Sequence, residues 1–193
     1  MHTKYAVLAG WMGLLGLVAC APSAQADMYV TGEGGLTTHE IPYYDQSSTF
    51  SVGVGVVGPA RMLGVEASYV NLGNGAIGLS PYGNISMSGY NVSTIFQSPA
   101  GPYVYGLRLG FYSMNSTDSG YGNSVSSSGL SWGAYLGVRP NDSMLIIWDT
   151  QGYSNVLTPN DGYETPTTVS LGVRYYFGVR PMGYRRFDDQ RGY

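Results

Sequence analysis

The chain has 193 residues, one Cys, one Lys and a formal charge of −3, and only 11% of its residues are charged, against roughly 25% in an ordinary globular protein. A single Cys excludes a disulfide framework and any CxxC metal or redox site, and the negative balance offers no basic face to nucleic acid. The apolar fraction of 44% is ordinary, so this is not a charge-rich disordered chain.

The first 26 residues read as a removed leader. Met1 to Tyr5 is a short positive start, and Ala6 to Cys20 is an apolar run of 15 residues. A transmembrane helix needs about 20. Ala24-Gln25-Ala26 is an A-x-A cleavage signal, so residues 1–26 are expected to be a secretory signal peptide. A second reading competes. Leu17-Val18-Ala19-Cys20 resembles a bacterial lipobox, in which Cys20 would be lipidated. Cleavage after Ala26 is favoured because Met28 already begins a strand pattern. Both readings imply export from a bacterial cytoplasm. Cleavage there leaves eight Arg, no Lys and all twelve acidic residues, a net charge of −4. So few charges cannot cover a water-facing surface of this size.

Period-two alternation then runs through the chain. Met28–Leu36 is a first, weaker strand. In 49–57, Phe50, Val52, Val54 and Val56 oppose Ser51, Gly53 and Gly55. In 62–70, Leu63, Val65, Ala67 and Tyr69 oppose Gly64, Glu66 and Ser68. Asn84–Phe96 is weaker, and its alternation slips near Gly89, which suggests a bulge there. In 103–112, Tyr103, Tyr105, Leu107, Leu109 and Phe111 oppose Gly106, Arg108 and Gly110. In 130–138, Leu130, Trp132, Ala134, Leu136 and Val138 oppose Ser131, Gly133, Tyr135 and Gly137. Met144–Tyr153 is a seventh strand. In 167–177, Val169, Leu171, Val173, Tyr175 and Phe177 oppose Ser170, Gly172, Arg174 and Tyr176. The sum is eight strands and no helical period.

The connections alternate in length. Turns at 58–61, 98–102 and 139–142 are tight, and polar stretches near 39–48, 71–83, 115–128 and 153–166 are longer. That rhythm suits an up-and-down barrel with one tight rim and one elaborated rim. A soluble, lipocalin-like barrel would need every bulky side chain inside and a nearly uncharged, Gly-rich exterior. With the apolar face in lipid, Gly and Ser leave interior room for Glu and Arg. Tyr29, Tyr103, Trp148, Tyr153 and Tyr175 near strand ends suit interface girdles. The expected fold is an all-β, eight-stranded antiparallel up-and-down transmembrane barrel over 27–177, followed by a short periplasmic tail, 178–193.

Residues 64–73 (GVEASYVNLG), 105–110 (YGLRLG) and 170–177 (SLGVRYYF) resemble the OmpA-like small outer-membrane barrels. The resemblance covers about 27–177 and supports fold more than function. Within it, the last strand ending on Tyr175 and Phe177 resembles the signal read by the barrel-insertion machinery. The tail places Phe177 away from the chain terminus, and no peptidoglycan-binding domain follows in the 16 residues after it. The implied location is the outer membrane of a Gram-negative bacterium.

Eight strands enclose a lumen that side chains fill, so a diffusion pore is not expected. Glu33, Glu66, Arg108, Asp149 and Arg174 fall on the inward face, and burial requires them to pair. The bland reading is a structural ion-pair plug; the sharper one is a gate opening a small conductance. The enzyme reading rests on His39, with Glu40, Asp118, Ser119 and loop serines as further atom types. The lipid A palmitoyltransferase barrel also uses loop His, Asp and Ser, yet no motif of that family is matched and no amphipathic helix precedes the first strand. No enzymatic activity, catalytic residue, cofactor or metal is expected. The GxGxxG match at 53–58 is followed by Pro59 and a strand, so it lacks the helix that a dinucleotide site needs. Expected partners are outer-membrane lipids, the insertion machinery, and host or cell-surface ligands reached by the loops. The expected role is structural or surface-interacting, with a gated channel and a lipid-modifying enzyme as alternatives. The tail carries a net charge of +2.

Overall fold

The computed structural model describes residues 26–41, 44–58, 61–76, 84–99, 101–159 and 162–177. The leader with Cys20, and the tail after Phe177, lie outside them. In chain order the strands are β1 (Asp27–Thr38), β2 (Ser47–Val57), β3 (Leu63–Ala76), β4 (Asn84–Gln97) and β5 (Tyr103–Asp118). They continue as β6 (Ser124–Asn141), β7 (Met144–Tyr153), β8 (Val156–Thr158), β9 (Gly162–Glu164) and β10 (Thr167–Phe177). Eight of them close in the ring order β1-β10-β7-β6-β5-β4-β3-β2. The ring is antiparallel throughout, and β10 pairs with β1 from Met28↔Phe177 to Thr38↔Thr167. Closure gives each ring strand a neighbour on both sides, although β6 runs on beyond β7 and pairs with β5 alone before Ser131.

Alternation sets the two faces. Leu107 and Leu109 are each 58% exposed, and Leu171 and Val173 also point outward. Glu33, Glu66, Arg108 and Arg174 are buried inside. Small inward residues make the room. Tyr29 lies flat over Gly55, where a Cβ would fall 2.3 Å from the ring's Cζ. No larger residue fits there without displacing the ring.

The apolar face changes sides partway along the longest strands. On β5, Tyr103 to Phe111 puts apolar side chains outward, with Arg108 inward. Beyond Phe111 the outward positions are Ser113, Asn115 and Thr117, and the inward ones are Tyr112 and Met114. On β4 the outward face passes from Ser86 and Ser88 to Tyr90, while the inward face passes from Ile85 and Met87 to Asn91 and Ser93. On β6, Ser124, Ser126 and Ser128 precede Leu130 and Trp132 on the outer face. The apolar outer band spans about 26 Å along β5 at the usual rise per residue.

This reversal corrects two expectations. The slip near Gly89 is not a bulge in β4, which alternates without interruption. It is the place where the outer surface changes from polar to apolar. The register shift falls on the neighbouring strand, between Asn71 and Gly73 of β3. Gly73 has φ +83°, and a Cβ there would lie 2.1 Å from the Ser48 carbonyl oxygen. Likewise most of 115–128 is not loop: β5 and β6 continue through it and turn over 119–123. Polar outward residues hide a strand when the apolar partners are turned inward.

Two further corrections concern aromatic residues and the last long connection. Tyr29 and Tyr153 are buried in the lumen, because they share parity with Glu33 and Asp149; Tyr103, Trp148 and Tyr175 do face outward. The 153–166 stretch is not simply a polar loop. It contains the β8–β9 hairpin, which folds back so that Val156 joins a buried cluster with Tyr112, Met114 and Tyr153.

Candidate functional site

The lumen is filled in layers, described here from the short-turn end. At that mouth lies Arg61, in the β2–β3 turn, with φ 55°. A positive φ in a residue with a Cβ is uncommon, and here the side chain it presents is only 2% exposed. Its Nε donates to Asp27 Oδ2 at 2.7 Å, and its Nη1 donates to the Asp142 carbonyl at 3.0 Å. Asp142 belongs to the β6–β7 turn, which lies opposite the β2–β3 turn in the ring. The arginine therefore straps the mouth from one side to the other. Its Cζ lies 4.3 Å from the centroid of the Tyr176 ring.

Above the strap, Val57, Ile95, Val104, Leu145 and Ile147 form an apolar ring with Tyr29, Tyr135 and Tyr176. Next comes the charged layer. The five residues placed inward by alternation meet there. Arg108 donates from Nη2 to Glu33 Oε1 and from Nη1 to Glu66 Oε1, both at 2.9 Å. Its Nη2 also lies 3.3 Å from Asp149 Oδ2. Arg174 Nη2 donates to Glu66 Oε2 at 3.2 Å, and its Nη1 donates to Gln97 Oε1 at 3.3 Å.

Neutral donors complete the layer. Tyr29 donates to Glu66 at 2.9 Å, Ser170 to Glu33 at 3.0 Å and Gln151 to Asp149 at 2.7 Å. Buried carboxylates are tolerated when charge and hydrogen bonds both compensate desolvation. A cavity of about 10 Å³ beside Glu33, Ser170 and Gln151 holds one water at most. Sequence parity placed the charges and Tyr135 inward, but did not single out Gln97, which accepts from Tyr135 and Arg174, or Tyr29, which donates to Glu66 and lies against the Arg174 guanidinium.

The long-loop end is apolar inside. Val70, Leu72, Ile85, Met87, Tyr112, Met114 and Val156 pack there with Tyr44 and Tyr153. The β8–β9 hairpin covers this cluster. His39 Nδ1 donates to Glu164 at 3.2 Å, which ties the hairpin to the end of β1. Glu40 Oε2 accepts from the Thr165 amide at 3.0 Å, and Tyr112 donates to the Ser154 carbonyl at 2.7 Å.

His39 also bears on the enzyme reading. The structure gives it Glu164 as the carboxylate partner, rather than the adjacent Glu40. Glu164 had no sequence signal, because nothing in a loop fixes its distance from a residue 125 positions away. Ser47 Oγ lies 3.5 Å from His39 Nε2, so a Ser–His–Glu order is present. Yet Ser47 donates its proton to the Leu72 carbonyl, and the side chain is buried. A nucleophile must surrender its proton to the base and meet a substrate; this hydroxyl is turned from both. Asp118 and Ser119 take part elsewhere, in the β5–β6 turn, where Asp118 Oδ1 accepts from the Gly120 amide and Ser119 bonds to Asn84. No cluster of three or more His, Cys, Asp or Glu among the described residues is arranged to hold a metal ion.

Tyr175 and Phe177 close β10 on the outer face, ring centroids 5.3 Å apart. No protein-family model matches the chain, and no curated protein sequence matches it. Solved structures do. Neisserial surface protein A is 13% identical, with a TM-score of 0.50 over 78% of this chain and 96% of that one. Ail, the attachment invasion locus protein of Yersinia pestis, is 18% identical, with a TM-score of 0.50 over 79% of this chain and 98% of that one. At these identities the likeness is one of fold.

Proposed function

The chain has the fold of the small eight-stranded outer-membrane barrels, and from that premise we propose an exported outer-membrane protein with a structural and surface-contact role. The observation that carries this reading is the reversal of the apolar face along β4, β5 and β6. Below the reversal, the outside is a belt of Leu, Val, Phe and Trp that lipid solvates. Above it, the same strands continue with Ser, Asn and Thr outside and an apolar core inside, as a water-exposed structure must. The β5–β6 hairpin therefore projects beyond the bilayer as a rigid, uncharged, hydroxyl-rich face, suited to contact with surface or host ligands. Tyr175 and Phe177 serve as the end signal for the insertion machinery, and the short-turn rim faces the periplasm.

Single-cysteine variants test the placement. Leu109→Cys should react only with a lipid-soluble thiol reagent, and Asn115→Cys with an impermeant one on intact cells. Reaction of position 109 with the impermeant reagent, or recovery of the chain as a soluble monomer, would overturn it. Planar-bilayer recording tests the role: the layered lumen should give no stepwise conductance, and reproducible steps would favour the gated channel instead.

The second reading, a lipid-modifying enzyme, rests on His39 standing between Glu164 and Ser47 and requires the Ser47 hydroxyl to leave the Leu72 carbonyl for Nε2. Lipid A from cells expressing the wild type and Ser47→Ala should then differ. Identical lipid profiles would leave His39 and Glu164 as a clasp.

A further inference from the structure

We propose that the short-turn mouth of the barrel is a binding site for one phosphate group, held by Arg139, Arg61 and the Tyr176 hydroxyl. Arg139 is the starting point. It follows the inward parity of β6 and is 6% exposed. Its Nε, Nη1 and Nη2 have no hydrogen-bond partner among the described residues. Arginine does not lose its proton in proteins, so this is a full positive charge, buried and uncompensated. Such a group is costly unless an acceptor reaches it.

Arg139 is not isolated. Its Cζ lies 5.8 Å from the Tyr176 ring centroid, and the Arg61 Cζ lies 4.3 Å from the same centroid. Arg61 keeps Nη2 unpartnered, and the Tyr176 hydroxyl is unpartnered too. Five unpartnered donor atoms thus gather around one ring. The carboxylate facing them is Asp27, which accepts from Arg61 at 2.7 Å and leaves Arg139 without a countercharge. In the next layer, Arg174 adds a further cation and stacks over Tyr29, whose ring is 5.4 Å from Tyr176.

The contrast with the charged layer shows what kind of partner these donors require. There, two arginines face three carboxylates and each guanidinium is bonded by at least one. At the mouth, Asp27 pairs with Arg61, and no carboxylate among the described residues pairs with Arg139. A tetrahedral oxyanion supplies several acceptor oxygens in one small body, which matches two forked guanidinium groups and a phenol. The Asp27 side chain, 26% exposed, marks the solvent side of the mouth; the unpartnered donors lie buried behind it, so an anion enters only as the Arg61 and Arg139 side chains part. The phosphate has two sources, a free solute or the headgroup of a lipid in the adjoining leaflet.

The test uses the full mature barrel refolded in zwitterionic detergent, with folding checked by heat-modifiable gel mobility. Inorganic phosphate is titrated at constant ionic strength while the arginine Nε–Hε resonances are followed. A saturable shift of Arg139 and Arg61 is expected, with little change at Arg108. Arg139→Gln should weaken binding about tenfold or more, the value of one or two charge-assisted hydrogen bonds. Tyr176→Phe should weaken it a few-fold while keeping the ring. A second arm dopes the micelles with phosphatidic acid in place of free phosphate. Saturation there alone assigns the site to a lipid headgroup, and saturation with free phosphate alone assigns it to a solute. No saturable shift in either arm, or an equal response to chloride, would overturn the proposal. So would unchanged binding in folded Arg139→Gln. Were that variant not to fold, Tyr176→Phe with unaltered affinity would count against the site in the same way.

Discussion

The two ends of the lumen are closed by opposite means. At the long-loop end, apolar side chains fill the space, and the β8–β9 hairpin is drawn over them by His39, Glu40 and Tyr112, each with its partner in place. At the short-turn end, a charged side chain does the closing, and several of its neighbours' donors go unmet. Apolar packing is non-directional and tolerates a hairpin of irregular course. A guanidinium strap works only between fixed acceptors, which the tight turns of this rim provide. The long-loop end thus resembles the core of a small soluble protein, and the short-turn end is a polar strap with unmet donors.

The layer between the ends sets the scale for any test of that contrast. Arg108 is shared by Glu33, Glu66 and Asp149. Its replacement by Met strands buried carboxylates, and breaking a buried pair costs about 3–5 kcal/mol. Urea unfolding of the barrel in lipid vesicles, followed by Trp132 and Trp148 fluorescence, should show a loss of that order. A loss below about 1 kcal/mol, typical of exposed pairs, would mean the layer is hydrated rather than interlocked.

Next in size is the outer plug. Met87 is 1% exposed within the cluster under the hairpin, and Met87→Ala should cost about 2–4 kcal/mol as a cavity-forming change. It should also speed proteolytic nicking between 154 and 166. Ile147→Ala, in the apolar ring near the other end, should cost a similar amount without exposing that segment. Equal nicking in both variants would erase the distinction between a hairpin-covered plug and a strap. A smaller effect is expected from Glu164→Ala, which leaves the His39 Nδ1 donor buried and unmatched, at about 1–3 kcal/mol. Its signature is local: nicking at 154–166 rises while the Arg139 and Arg61 resonances stay in place.

Legibility in the sequence followed the same division. The apolar outer belt was readable because Tyr103, Tyr105, Leu107, Leu109 and Phe111 alternate against Gly and Arg, and parity alone places Arg108 inside. The extension above the belt was not. Ser113, Asn115 and Thr117 look like a loop until Tyr112 and Met114 are recognised as the buried set, with the hydrophobic period intact but its phase reversed. Tyr29 and Tyr153 were misread because strand-end aromatics suit a girdle, whereas their parity with Glu33 and Asp149 sends them inward. The clasp of His39 with Glu164 joins residues in separate loops, and no period relates them. Arg139 did carry a signal, its parity with Tyr135 and Ser131, but a turn was expected to begin there. Its unmet donors depend on what the opposite turn and β10 place beside it, which only the closed ring determines.

The smallest predicted effect probes how the outer end is aimed. Asn155 has φ 59° in the two-residue link between β7 and β8. That left-handed turn reverses the chain so that Val156 points into the plug and Ser154 presents its carbonyl to Tyr112. Asn tolerates this region better than most residues with a Cβ, and Gly adopts it freely. Asn155→Ala should therefore cost about 1 kcal/mol, and Asn155→Gly should be close to neutral, both read from urea midpoints at unchanged m-value. Nicking at 154–166 should rise in the Ala variant alone. If Ala and Gly behave alike, the backbone at 155 is not what directs the hairpin. The closure of the outer end would then rest on the apolar cluster and the His39–Glu164 clasp, with no contribution from the turn.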